Sequence, residues 1–300
     1  MIKISDNISV GIPEIENIAG LLFKTLWVEY GVSGILPRIV LELNGYSDNL
    51  SLRDVTVSLI INGKIIINSP GVIDSVTKSE GILKFQIYLV KSIDFLRNRT
   101  TNCYKSIREV VNSLWIGNIE LDIPNQENLY LCQLNEINHE YLTKALTCSS
   151  AEQSFCYNLL NSIVPVELTN RKIDYDLSEK SDIVISAKDR GVELARTNAD
   201  YIEEYTGIIN GKYITTGGYV TYFSDNETYQ LEENYVRTRL CLEKIPASFI
   251  IEYTDPEKLS VGKVVKVQMN NSKVNLLIIS VKMYLDVTGL RVSALAYKYN

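Results

Sequence analysis

The chain of 300 residues has a single histidine, His139, and that scarcity removes most acid-base and metal chemistry at the outset. A Ser-His-Asp triad, a Cys-His dyad or a two-histidine metal site would have at most one base to draw on. His139 stands in Asn138-His139-Glu140, at the expected start of a helix, where a solvated or capping role accounts for it. Cysteine is equally unhelpful to chemistry. Cys103, Cys132, Cys148, Cys156 and Cys241 are odd in number, widely spaced and without a C-x-x-C pair, which fits reduced, buried thiols and not a disulfide framework or a zinc site.

Phosphate-binding loops are missing as well. Gly211-Lys212 and Gly262-Lys263 are followed by Tyr213 and Val264 and precede strand-like alternation, so neither can cradle a nucleotide. Long apolar runs are absent too: Glu14, Glu16, Lys24 and Glu29 interrupt the stretch from Ile12 to Leu36, short of the roughly 20 residues a membrane span needs. Met1 to Pro13 lacks the continuous apolar core of a leader, and synthesis in the cytosol is the expectation. A formal charge of −6 argues against a clamp on nucleic-acid phosphates. The 46% hydrophobic and 22% charged content is an ordinary globular balance and argues against disorder over long stretches.

Acidic residues concentrate in one place, Asp174, Asp176, Glu179 and Asp182. Their spacing lacks the sixth-position glycine and terminal glutamate of an EF-hand. A solvated loop is the reading for this group and for Glu203-Glu204. The expectation is therefore a chain with no catalytic, cofactor-binding or metal residues, and no enzyme.

What the sequence does have is alternation. Ile39, Leu41 and Leu43 alternate with Arg38, Glu42 and Asn44, and Val55, Val57, Leu59 and Ile61 with Thr56 and Ser58. That spacing puts one set of side chains on one face of a sheet. Asn62-Gly63 then separates two such runs, and this dipeptide supplies the two positive-φ residues of a type I′ hairpin turn. With Leu83, Phe85, Ile87 and Leu89 the segment from about Leu21 to Ile93 reads as a compact antiparallel unit, a small barrel.

After Asn98 the period changes. Ile107, Val110, Val111 and Leu114 follow helical spacing, for a helix from about Thr101 to Trp115. A strand at Leu129 to Leu134 precedes helices at Glu140 to Leu146 and Glu152 to Ile163, the latter burying Phe155, Leu159, Leu160 and Ile163 before Pro165 stops it. Lys172 to Asp200 reads as a polar connecting segment with a strand or two.

Strands return after Tyr201, with turns at Asn210-Gly211 and Gly217-Gly218 and a run of tyrosines at 213, 219, 222, 229 and 235. A three-stranded meander closes the chain: Val265 to Met269, Leu277 to Leu285, a turn at Thr288-Gly289, and Arg291 to Tyr297. Nineteen tyrosines against two tryptophans, Trp27 and Trp115, leave two meanings open. Tyrosine is an ordinary strand former and also a sugar-stacking or interface residue. The fold class expected is β-rich α+β, two small antiparallel β-barrel domains with a helical insert: 1–98, 99–200 and 201–300.

Several segments resemble a known family. Leu36-Pro37-Arg38-Ile39-Val40-Leu41-Glu42-Leu43, its following hairpin, and the strand Gly81 to Val90 leading to Tyr104-Lys105-Ser106-Ile107-Arg108-Glu109-Val110-Val111 look like the first domain of phage baseplate hub proteins and their relatives in type VI secretion spikes. Ser260-Val261-Gly262-Lys263-Val264-Val265-Lys266-Val267, Leu276 to Leu285 and Arg291 to Tyr297 resemble the second barrel of that family. Leu131-Cys132-Gln133-Leu134-Asn135 before Tyr141-Leu142 resembles its inter-barrel region. The resemblance implies a homotrimer whose two related barrels per subunit form a pseudo-sixfold ring between a tail tube protein and a central spike protein. Tape-measure and baseplate-wedge proteins are candidate further partners. It implies residence in the virion tail or baseplate after synthesis in the host cytoplasm, and carries over no catalytic residue. The competing expectation is a receptor- or carbohydrate-binding tail module, which would need exposed tyrosines around a concave pocket. A tail-associated glycosidase would need two carboxylates across a cleft, and no such pair is visible.

Overall fold

The computed structural model describes residues 2–5, 7–16, 20–32, 34–45, 53–123, 131–147, 153–168, 172–188, 205–209, 212–220, 248–269 and 272–299. The chain opens with β1 (Ile2–Ser5), β2 (Ile8–Gly11) and the single turn α1 (Pro13–Glu16). Five longer strands follow: β3 (Leu22–Gly31), β4 (Arg38–Asn44), β5 (Asp54–Ile61), β6 (Lys64–Ser79) and β7 (Ile82–Tyr88). Next come α2 (Ile93–Arg97), β8 (Arg99–Tyr104), α3 (Ile107–Leu114), β9 (Asn118–Ile119), β10 (Leu131–Ile137) and α4 (Asn138–Thr147). They lead to β11 (Gln153–Tyr157), β12 (Ser162–Glu167), β13 (Tyr175–Asp176) and β14 (Val184–Lys188). The remainder is β15 (Tyr205–Ile209), β16 (Lys212–Val220), β17 (Ser248–Tyr253), β18 (Val264–Met269), β19 (Ser272–Asp286) and β20 (Gly289–Tyr299).

The period-two alternation becomes burial as expected. In β4 the residues Ile39, Leu41 and Leu43 are buried while Arg38, Val40 and Glu42 are only partly so, and β5, β7 and β18 to β20 repeat the pattern. The Asn62-Gly63 turn joins β5 to β6 with φ of 52° and 75°, the conformation only such residues adopt cheaply.

The chain is β-rich α+β, and its two β units meet differently from the expectation of separate barrels. Strand β3 pairs with β19 from Gly31 opposite Ser280 to Thr25 opposite Asp286. This joins the strands of both units into one curled sheet of thirteen strands, ordered β1-β2-β5-β6-β7-β4-β3-β19-β20-β17-β14, with β18 and β13 attached through β19. The physical reason is that β19 is long: its first half pairs with β18, its second half with β3, and β20 runs beside both. A strand edge left open by the first unit is thereby covered by the second. The inner face of the sheet holds one continuous core, including Leu41, Phe85, Ile87, Val264, Ile278 and Val281.

The helical insert packs a second core against Leu36, Val72 and Val90 of the first unit. Phe95, Trp115, Phe155 and Tyr157 form its centre, with ring centroids 5.1 to 5.6 Å apart for Phe95–Trp115, Trp115–Tyr157 and Phe155–Tyr157. Two expectations fail here. Residues 101–104 belong to β8, and the helix starts only after Ser106, whose hydroxyl accepts from the Glu109 N–H as an N-cap. The expected helix from Glu152 to Ile163 is instead the hairpin β11–β12, with Phe155 opposite Pro165. Strand β11 lies between the two cores: Cys156 faces the sheet core while Phe155 and Tyr157 face the insert core. A strand buried on both faces shows a continuous apolar run, which spacing cannot tell from a helix. Asn158 closes the turn by accepting from the N–H groups of Leu160 and Ser162, and Pro165 sits beyond the two residues of β12 that pair with β9.

The polar segment contributes β13 and β14, paired with β18 and β17. Strands β15 and β16 pair with each other, with Ile209 opposite Lys212. Asn210-Gly211 and Tyr222, Tyr229 and Tyr235 lie outside the described residues, and Gly217-Gly218 falls inside β16, not at a turn.

Candidate interaction surface

The alternation that buries one face of the sheet presents the other, and cross-strand register decides which residues share it. Three rows cross the junction of the two β units. One runs Ser293, Lys282, Glu29, Arg38 and Tyr88; the next Arg291, Tyr284, Trp27, Val40 and Gln86; the third Gly289, Asp286, Thr25, Glu42 and Lys84. Trp27 in the middle row is 54% exposed, and its ring meets Tyr284 edge-on at 5.4 Å between centroids.

A charged triad stands on each side of this indole. Glu29 takes Arg38 at 2.8 Å and Lys282 at 3.1 Å; Glu42 takes Lys24 and Lys84, each at 3.4 Å. Burial by itself would raise both carboxyls, but the hydrogen bonds and charges of Lys282 and Arg38 on Glu29, and of Lys84 and Lys24 on Glu42, outweigh it and hold both below the ordinary range. Each triad thus carries one net positive charge at neutral pH.

Beyond this face the insert leans over the sheet, leaving adjoining hollows of about 600 and 510 Å³ that share Asp74 and Arg97. Arg97 closes onto Asp74 at 2.6 Å, and Glu29 and Arg38 extend the second hollow toward the Trp27 row. Gly34, at φ +87°, lies against Thr143 of α4 so closely that a Cβ would strike it. This contact lets the insert approach the sheet.

A buried polar knot ties the ribbon β8–β10 to α4. Gln133 is fully buried; its amide donates to the Asn138 Oδ1 at 2.9 Å and the Glu136 carbonyl at 3.0 Å, and its Oε1 accepts from the Tyr104 hydroxyl at 3.1 Å. Thr100 donates to the same Asn138 oxygen at 2.8 Å, and Tyr104 stacks on Tyr141 at 5.8 Å.

The histidine, the acidic cluster and the cysteines are not brought together among the described residues. His139 is not a cap: it sits in the first turn of α4, half-buried against Phe95 at 6.1 Å on the wall of the second hollow, its Nδ1 without a hydrogen-bond partner, and desolvation depresses its pKa despite Glu140. Asp174 accepts from the Val264 N–H at 2.8 Å and Lys263 at 3.1 Å, fastening β13 beside β18. Asp176 reaches Lys266 at 3.5 Å, and the hydroxyl and N–H of Ser178, with a smaller contribution from Lys266, bring its pKa down to about 2. Glu179 and Asp182 are exposed.

Among cysteines, Cys156 is buried and burial pushes its thiol up, whereas Cys103 is exposed, contrary to expectation, because it faces outward on the ribbon. Cys148, Cys241 and Glu203-Glu204 lie outside the described residues. Of the described tyrosines, Tyr30, Tyr104, Tyr141, Tyr157, Tyr253 and Tyr297 are buried, and Tyr88, Tyr175, Tyr284 and Tyr299 are half-buried. These ten pack the sheet and the insert, whereas the side chains of the run at Tyr213, Tyr219, Tyr222, Tyr229 and Tyr235 lie outside what the structure describes. Only part of the Trp27 environment is written locally in the sequence. Its parity, between buried Leu26 and Val28, marks it as outward, but its neighbours Tyr284 and Lys282 come from the other end of the chain.

No family profile matches the sequence, and no protein of curated function is significantly similar to it. Solved structures do share its fold. The 43 kDa tail protein of prophage MuSo2 from Shewanella oneidensis superposes with a TM-score of 0.63 at 12% identity, covering 97% of this chain and 96% of that one. A tail protein from Neisseria meningitidis MC58 gives the same values. The c3393 protein of E. coli, a component of the type VI secretion system with structural similarity to the T4 bacteriophage tail proteins gp27 and gp5, superposes at 0.56 with 11% identity, over 97% of this chain and 77% of that one. The chain has the fold of phage tail proteins and of type VI secretion relatives, as its sequence resemblance implied.

Proposed function

We propose that this chain is a structural tail or baseplate protein of a phage or phage-like injection machine, acting as the hub that connects the tail tube to a central spike. One observation carries the reading: the fold it shares with tail proteins spans both β units and the insert together, over 97% of the chain. A shared fold is not a shared function, so the site must add its part. Assembly is also the reading that suits Asp174 and Asp176, which fasten β13 to β18, and the ten tyrosines that pack the sheet and the insert.

In this reading the protein works as a homotrimer in which the β units of 1–98 and 201–300, joined beside the 99–200 insert, each serve as one contact, so that three subunits offer six contacts to a tube and three to a spike. Its partners are the tail tube and central spike proteins, with tape-measure or baseplate-wedge proteins as neighbours, and its place is the virion tail. It needs no cofactor and performs no catalysis.

Imaging of assembled tails tests this. The expected result is density for the chain on the tail axis, between tube and spike, in a multiple of three copies. Location on a peripheral fibre, or any other copy number, overturns it.

A further inference from the structure

The outward face around Trp27 has the anatomy of a protein contact. An exposed indole with an aromatic neighbour at its centre is ringed by charged side chains, and tryptophan in such a position is the residue type that most often dominates binding. Across the three rows, with Lys24 at the β3 bulge and exposed Glu252 continuing the first row beyond Ser293, five cations stand against four carboxylates, while the whole chain carries −6. The face is basic and the rest of the molecule correspondingly acidic.

The charges also limit the geometry. A two-fold contact would lay this face on its own copy and bring positive triads together, which like-charge repulsion disfavours. Docking on an acidic region of another copy has no such cost.

We propose that the Trp27 face is a subunit contact, in which the indole and its two triads dock head-to-tail on an acidic surface of a second copy of this chain, outside the face itself. The contact closes a ring without two-fold symmetry. This rests on the trimeric hub reading and names the surface that reading needs.

The test uses the full chain in tagged and untagged forms, co-expressed, with association measured by sedimentation and by cross-linking with mass spectrometry. Trp27→Ala and the pair Lys84→Glu/Lys282→Glu are the variants, and retained thermal stability shows that each folds. Either variant is expected to weaken self-association about 30-fold or more, the scale of losing a hot-spot residue. Added salt should weaken the wild type. Cross-links from Lys84 and Lys282 should lead to acidic segments outside the face. Absence of self-association, association unchanged in both variants, or cross-links returning to the same face would overturn the proposal. The two readings fail separately. Tails that carry Trp27→Ala in normal copy number on the axis sink this contact and spare the hub; association through Trp27 in a protein absent from the axis does the reverse.

Discussion

Replacing Gln133 by alanine should loosen the insert more than any surface change of similar size. The side chain is fully buried and makes three hydrogen bonds, to Tyr104, Asn138 and the Glu136 carbonyl. At about 1 kcal/mol for each neutral hydrogen bond, the loss is about 3 kcal/mol. Asn138 keeps its bond from Thr100, and Glu136 is only half-buried, so the unpaired hydroxyl of buried Tyr104 is the main residual cost. For a chain of this size the midpoint of thermal unfolding should fall by roughly 5–10 °C. Tyr104→Phe removes only one bond and should cost about 1 kcal/mol. The double variant should then cost less than the sum, with a coupling of about 1 kcal/mol. Urea unfolding of the four proteins measures this directly. A Gln133→Ala protein within about 0.5 kcal/mol of wild type, or a strictly additive cycle, would show that the knot does not hold the ribbon to α4.

Gly63→Ala meets no steric obstacle but forces a φ of 75° on an L side chain, and should cost about 1 kcal/mol in the same unfolding assay; no loss would refute the turn assignment. Phe85→Ala empties a fully buried site in the sheet core and should cost about 3–5 kcal/mol, a smaller loss meaning that the core collapses around the gap. The Asp176 carboxyl should titrate near 2, not at its ordinary 3.8, when followed by NMR, and should rise in Ser178→Ala. Because its folded value is the lower one, its contribution to stability is present above the ordinary value and is lost as pH falls through about 2; a midpoint at 3.8 would refute the Ser178 bonds. The purified protein should clear no peptidoglycan in a zymogram and hydrolyse no nucleotide, and lysis that vanishes in Asp174→Asn would contradict a purely structural role.

The strands were legible because a half-buried strand writes its own alternation: Ile39, Leu41 and Leu43 against Arg38 and Glu42 need no partner to be recognised. The Asn62-Gly63 hairpin was legible for a local reason too, since few other residue pairs accept two successive positive φ values. The absence of histidine pairs and phosphate loops is likewise a property of composition. The hairpin β11–β12 was not legible, because Phe155, Cys156 and Tyr157 are buried on both sides by elements far away in sequence, and a run buried on both faces loses its period. Nor was the pairing of β3 with β19, which depends on which open edge the closing meander meets once the sheet has curled. That single non-local pairing turned two expected barrels into one sheet. It also set Tyr284 and Lys282 beside Trp27 and Glu29, so local parity decided which residues point outward and tertiary structure alone decided which of them meet.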